Sequence, residues 1–412
     1  MPNKKWTLMI WMAGDNNLQS AGEQDIQEMK KVGSTDSIDV VVQFDRMTGQ
    51  NTRRYHIQKG TPLQSDEVQS LGATNTGDPK VATDFFVWAM KNYPADRYLA
   101  SFWNHGGGID ETDVYARAKA MGLDAGRKLR RGASAVSAGH ARQIASGPYR
   151  HALFSTTVEA AVKRRGIAYD DTARDFLDNT ELKTVLKNVT TGAGKTIDVL
   201  GFDACLMNMV EIAYQIRQYA GYSVGSEQTE PTEGWPYDTV LADLNANPAM
   251  TAAQFGAVIV KRYIESYKSG DVTQSLLDLG HSKEIAQAVD GLAKALIVAL
   301  KKPADYAAIT KATRAAQHYE YADFQDLYDL CTQLQTRVSA KAVKVAAAAT
   351  ISALTGASPF VAAEKHKGAG VASSHGASIY FPTARDVKVA YSSLDFAKAT
   401  AWGDFITAYQ KT

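Results

Sequence analysis

Thr196–Ile212, TIDVLGFDACLMNMVEI, limits the fold more than any other stretch of this 412-residue chain. Ile197, Val199, Leu200 and Phe202 make a short apolar run rich in β-formers, the composition of a buried parallel strand. After Cys205 the apolar residues Leu206, Met209, Val210 and Ala213 recur at helical spacing, so a helix is expected to start there. Cys205 then stands on the turn leaving the carboxyl end of a strand, where open α/β sheets bind their ligands. A helix N-terminus beside it would lower a thiol pKa from about 8.5 toward neutrality. The plainer alternative is an inert small core residue, the usual state of a lone intracellular cysteine.

Asp96–Gly108, DRYLASFWNHGGG, repeats this arrangement, with Tyr98, Leu99, Ala100, Phe102 and Trp103 as a strand followed by His105 and three glycines. A histidine at another strand's carboxyl end can meet Cys205 across the top of one sheet, and a Cys–His pair suffices for thiolate catalysis. Glycines let the backbone approach a substrate closely and aim N–H groups at a developing oxyanion. Taken alone, the His-Gly-Gly-Gly run could equally be a helix-capping turn.

WNHGGG and DVLGFDACLMNMVEIAY resemble the clostripain family of cysteine peptidases, in the clan that holds caspases, gingipains, legumain and separase. Further matches, in the family's order, are WTLMIWMAGDNNL (6–18), VVQFDR (41–46), DDTARDFLDNTEL (170–182), VGSEQTEPTEGWPY (224–237) and ASIYFP (377–382). The resemblance implies a caspase-like (caspase-haemoglobinase) α/β fold. It also implies a cysteine endopeptidase in which Cys205 attacks the scissile carbonyl and His105 handles the proton. Backbone N–H groups of Gly106 and Cys205 are the expected oxyanion donors, by analogy with the clan and by their positions at a glycine turn and a helix start.

Asp203 precedes Cys205 by two, so in extended geometry their side chains share a face. A carboxylate there would attract a basic side chain, and a bidentate charge-assisted pair suits arginine best; in clostripain-like enzymes the matching aspartate lines the pocket for the residue before the cut. Capping of the following helix is the other role open to Asp203. Glu227, Glu230 and Glu233 follow the fifth strand, where a neighbouring loop can add charge, and Glu227 and Glu233 are the candidates for substrate binding there.

Net charge is +1, which argues for neither nucleic-acid nor membrane partners. No run reaches the roughly 20 apolar residues that cross a bilayer. Lys4 and Lys5 before apolar Trp6–Ala13 mimic a signal peptide, but the core is short, no Ala-x-Ala site closes it and acids follow. It reads as the first strand, leaving a cytoplasmic chain as written, or a secreted one that has lost a targeting segment. Two cysteines make no disulfide framework. Cys331, among helically spaced Phe324, Leu327, Leu330 and Leu334, reads as a packing residue.

Residues 110–169 hold eleven Lys or Arg against five acids and lack an apolar stripe. A solvated basic loop is the usual fate of such a run; exposed small-residue loops are also good cleavage targets. The resemblance implies self-cleavage of a zymogen here, with Arg127, Lys128, Arg130 and Arg131 before GASA as the first candidates and Lys119 next. Expected partners are therefore peptides or proteins bearing basic residues and the chain's own loop. No cofactor is required. Calcium, on which some family members depend, has no EF-hand pattern here, and Asp15, Asp170, Asp171 and Asp175 serve equally as caps and turns.

In chain order, strands are expected at 6–13, 37–44, 53–58, 98–103, 197–202, 222–225 and 378–381, with helices near 18–31, 81–92, 180–186, 251–267, 281–301, 306–354 and 394–409. Alternating strands and helices predict a mainly parallel sheet covered on both faces. The expected units are a catalytic core over 1–250 carrying the basic loop, a mainly helical subdomain over 251–375, and a late strand and terminal helix over 376–412 packing back on the core.

Overall fold

The computed structural model describes residues 4–47, 52–109, 167–170, 175–382 and 389–412. Strands β1 (Lys4–Gly14) and β2 (Ile38–Arg46) are followed by β3 (Thr52–His56), β4 (Glu67–Gly72) and β5 (Ala95–Trp103). A short hairpin, β6 (Ile167–Asp170) and β7 (Asp175–Leu177), precedes β8 (Ile197–Asp203) and β9 (Ala220–Gly225). The second half contributes β10 (Val272–Asp278), β11 (Phe324–Asp326), β12 (Val361–Lys367) and β13 (Ser378–Tyr380).

Among the described residues, one sheet of nine strands runs β12-β10-β9-β8-β5-β1-β2-β3-β4. Its five central strands, β9 to β2, are parallel, and antiparallel pairs extend it on both sides. Side chains of β1 alternate between two cores. Leu8, Ile10 and Met12 face helices α1 (Gln19–Val32), α5 (Tyr237–Ala246) and α6 (Ala252–Ser266), whereas Met9, Trp11 and Ala13 face α2 (Pro79–Asn92), α3 (Asn179–Ala193) and α4 (Val210–Ile216). Each such apolar side chain contributes roughly 2 kcal/mol when buried, so this register is strongly enforced. Asp78 caps α2 ahead of Pro79, accepting from Lys80 N–H.

Residues 251–375 depart from a separate helical unit, because β10 and β12 continue the main sheet. Thr273, Gln274 and Ser275 interrupt the apolar pattern of β10, yet all three are buried. The expected helix over 306–354 is three: α8 (Pro303–Ala315), α9 (Leu327–Arg337) and α10 (Lys341–Thr355), with β11 between the first two. β13 pairs with β11 in a two-stranded sheet and does not rejoin the main one. The terminal helix is broken into α11 (Asp395–Ala399) and α12 (Trp402–Lys411), and α7 (Ser282–Ala299) packs against α12 and α10.

Because β1, β5, β8 and β9 run parallel, their carboxyl ends emerge at one edge. Trp103 pairs with Met12 on one side and with Asp203 on the other. His105 and Cys205 are thus each two residues beyond the same rung of two neighbouring strands.

Candidate active site

Four chain segments meet at this edge. Asn104 ties three of them together: its side-chain amide donates to the Ala13 carbonyl after β1, its N–H donates to the Asp203 carbonyl at 3.3 Å, and its side-chain oxygen receives the N–H of His105. His105 is buried at 2% exposure, with Nε2 2.8 Å from Asn17 Oδ1.

Gly106 lies against the nucleophile candidate. A Cβ on it would overlap the Cys205 carbonyl oxygen, sit 3.0 Å from the Cys205 nitrogen and 3.1 Å from the Ala204 Cβ. Only glycine allows the two main chains this close, and the approach brings the expected oxyanion donors side by side.

The helix expected at Cys205 begins five residues later, at Val210, and spans only seven residues. Cys205 stands in a turn in which Leu206 takes a positive φ of 63°, a backbone state a leucine adopts only under constraint, and donates its N–H to Gln228 O at 3.2 Å. Asp203 therefore caps no helix. The thiol is 3% exposed and covered by the segment after β9: Glu230 N–H donates to Sγ at 3.3 Å, and the Glu230 carbonyl oxygen lies 4.0 Å from Sγ. Cys205 packs within the buried apolar core, and this loop adds polar contacts to its sulfur.

Beside the thiol is a buried cluster of carboxyls. Asp203 accepts from Tyr237 Oη at 2.9 Å and from Trp235 N–H at 3.4 Å. Asp25, on α1, accepts from Trp103 Nε1 at 2.6 Å. Burial pushes Asp203 up to about 6, opposed by its bonds from Tyr237 and Trp235. Burial, and then the Asp203 charge, push Glu230 and Asp25 well above the usual carboxylate range. Both Glu230 carboxylate oxygens are buried without a hydrogen-bond partner, which favours the neutral acid there. Asp203 holds its proton better folded than unfolded, so it stabilises the fold most below about pH 4, and that contribution is lost as pH rises through about 6.

The other predicted residues are dispersed. Glu227 points away from the cluster: its Oε2 accepts from Gly376 N–H at 3.0 Å, and burial followed by the Asp326 charge raises its pKa. Glu233 is exposed, with its charge reaching Asp25. Lys119, Arg127, Lys128, Arg130 and Arg131 lie outside the described residues, as do the side chains of Asp170 and Asp171. Asp175 accepts from Asn75 Nδ2 at 2.6 Å, and Asp15 is buried; among the described residues no group of three or more His, Cys, Asp or Glu is placed to hold a metal ion. Cys331 is buried, and burial raises its thiol pKa, consistent with a packing role. No described helix is long and apolar enough to cross a membrane.

A model of the clostripain family matches residues 10–131 and 155–409. The chain belongs to the clostripain family of cysteine peptidases. Clostripain from Hathewaya histolytica is 27% identical over 399 residues, which take in 81% of this chain and 66% of that protein, so the chain spans a little under two thirds of that relative's length. The fold is shared with a secreted C11 cysteine protease from Bacteroides thetaiotaomicron (TM-score 0.68, 14% identity, 97% of this chain and 99% of that chain). It is also shared with an inactive zymogen C11 protease from Parabacteroides distasonis (TM-score 0.64, 16% identity, the same coverage). The clostripain-family chain thus has the caspase-like architecture expected of it.

Two participants escaped the sequence reading. Asp25 sits on the same helical face as Gly22, Ile26 and Met29, and an acid on an apolar stripe was the available sign. Asn17, within a run of turn formers, carried no distinguishing sign.

Proposed function

We propose that the chain is a cysteine endopeptidase cutting after arginine or lysine through an acyl-enzyme. The Cys205 thiolate attacks the scissile carbonyl carbon, forming a C–S bond. Gly106 and Cys205 N–H groups hold the oxyanion, each such donor being worth about 3 kcal/mol. Collapse breaks the C–N bond as His105 protonates the departing amine. His105 then takes a proton from water, which attacks the thioester and releases the acid and the thiol.

The observation that carries this reading is the group of buried carboxyls, Asp203, Glu230 and Asp25, beside the thiol, with which no Lys or Arg pairs among the described residues. A guanidinium entering there would let the acids ionise. Entry also requires the Glu230 peptide to leave the sulfur. A covered nucleophile suits a precursor, and the basic loop between His105 and Cys205 remains the proposed place of self-cleavage, after Arg131 or its neighbours Arg127, Lys128 and Arg130, or after Lys119.

Fluorogenic peptides with Arg, Lys, citrulline, Asp or Asn before the leaving group test the specificity. Arg and Lys peptides are expected to be cut, and Asp and Asn peptides spared. Citrulline keeps the arginine shape without charge, so titration of the catalytic pair cancels in a ratio. Asp203 is negative above about pH 6 and neutral below it. The Arg-to-citrulline ratio of kcat/KM is therefore expected to rise with pH, reaching about 100 near neutrality. A ratio that stays flat from about pH 5 to about pH 7.5 removes Asp203 from the pocket. Acyl transfer to added amines in place of hydrolysis would instead mark a transpeptidase, and silence toward every peptide a binding protein.

A further inference from the structure

We propose that Asn17 is a positioning residue for His105, its side-chain oxygen accepting from Nε2–H and so fixing Nδ1 as the nitrogen that gives and takes protons. The inference rests on the catalytic role proposed for His105. The contact is 2.8 Å long and joins two chain segments 88 residues apart.

An asparagine just ahead of a helix ordinarily caps it. Here α1 starts at Gln19 with no side-chain cap, and Asn17 spends its amide on the imidazole. The turn that presents it is held firmly by other residues. Asn16 Nδ2 donates to the Ala13 carbonyl at 2.9 Å, and Asn16 Oδ1 accepts from Leu18 N–H at 2.8 Å. Asn104, which receives the His105 N–H, grips the same Ala13 carbonyl. Ring and orienter are therefore anchored to one point at the end of β1. An amide oxygen can only accept, so it selects the Nε2–H tautomer and leaves the lone pair on Nδ1. Being neutral, it does this without favouring the imidazolium as a carboxylate would. Asn17 is exposed whereas His105 is buried, so replacing it alters the surface and leaves the core packing alone.

The test compares Asn17→Ala and Asn17→Asp in the full chain, with His105→Ala and Cys205→Ala as references, on an arginine substrate. Asn17→Ala is expected to lower kcat about 10- to 100-fold with KM and Tm little changed, the loss typical of removing a group that orients a functional histidine. Asn17→Asp keeps the acceptor and is expected to recover most of kcat. Its charge favours the imidazolium, so the alkaline limb of the pH–rate profile should move up by about one unit. Undiminished kcat in Asn17→Ala, beside inactive His105→Ala and Cys205→Ala, would overturn the positioning role and leave the proposed mechanism standing. So would an Asn17→Asp variant that loses kcat as Asn17→Ala does, with an unmoved pH profile. Full activity in His105→Ala would overturn the mechanism itself.

Discussion

Cys205→Ala is expected to abolish peptide hydrolysis, lowering kcat by at least about 10⁴-fold, while the protein stays folded. The sulfur is the protein nucleophile of the proposed mechanism, and Cys331 is not placed to substitute for it: it lies buried in the core, with its thiol pKa raised. What the variant loses structurally is small. The Glu230 N–H gives up one hydrogen bond to sulfur, an interaction of about 1 kcal/mol or less, so Tm should move by a few degrees at most. Steady-state assays beside a thermal melt check both halves. Residual activity within about 100-fold of the parent would mean that chemistry occurs elsewhere.

Gly106→Val is expected to reduce kcat/KM by at least about 100-fold, the cost of misplacing reacting groups by about 1 Å. Its Cβ would overlap the carbonyl oxygen of Cys205 and press on the nitrogen of the same residue. Both are backbone atoms on the nucleophile turn, so relief must come from separating the ends of β5 and β8. That separation moves the two proposed oxyanion donors and the pair they would serve. Gly291→Ala is the matched control: it lies within α7, a Cβ there meets nothing within 4 Å, and helix propensity favours alanine by about 1 kcal/mol. Activity unaltered by the first change would place the oxyanion away from Gly106.

The sheet was legible because its central strands are apolar on both faces. β1, β2, β5 and β8 each carry the continuous hydrophobic run that a doubly covered parallel strand requires. β10 was hidden for the opposite reason. Two of its three buried polar residues are hydrogen-bonded across the molecule, Ser275 Oγ to Gly376 O at 2.5 Å and Thr273 Oγ1 to Ser226 Oγ at 2.9 Å, and periodicity does not report such partners. β12 carries charges suited to an edge strand, and it fell within the region expected to be mainly helical.

At the proposed site, Cys205 and His105 stood out because each follows a strand at a turn, and the resemblance to the clostripain family suggested the roles of Gly106 and Asp203. Which glutamate after β9 approaches Asp203 depended on how that segment folds back. Glu230 does so, whereas Glu227 turns toward Gly376. The covering of the thiol was equally invisible, since it is made by a peptide group and any residue type supplies one. The supposed helix N-terminus at Cys205 failed because the turn from Leu206 to Met209 intervenes. In the proposed mechanism, activation of the thiol therefore falls to His105 rather than to a helix end.

The account stands on one pairing: a thiol and an imidazole delivered to the same edge of the sheet, next to acids that would receive a basic side chain. Labelling with a peptidyl-arginine acyloxymethyl ketone, followed by intact mass and peptide mapping, measures it most directly. The expected product is a single adduct on Cys205, absent in His105→Ala and much slower with an aspartyl probe, with Cys331 unmodified. An adduct on Cys331 instead of Cys205, or equal labelling of Cys205 by arginyl and aspartyl probes, would contradict it.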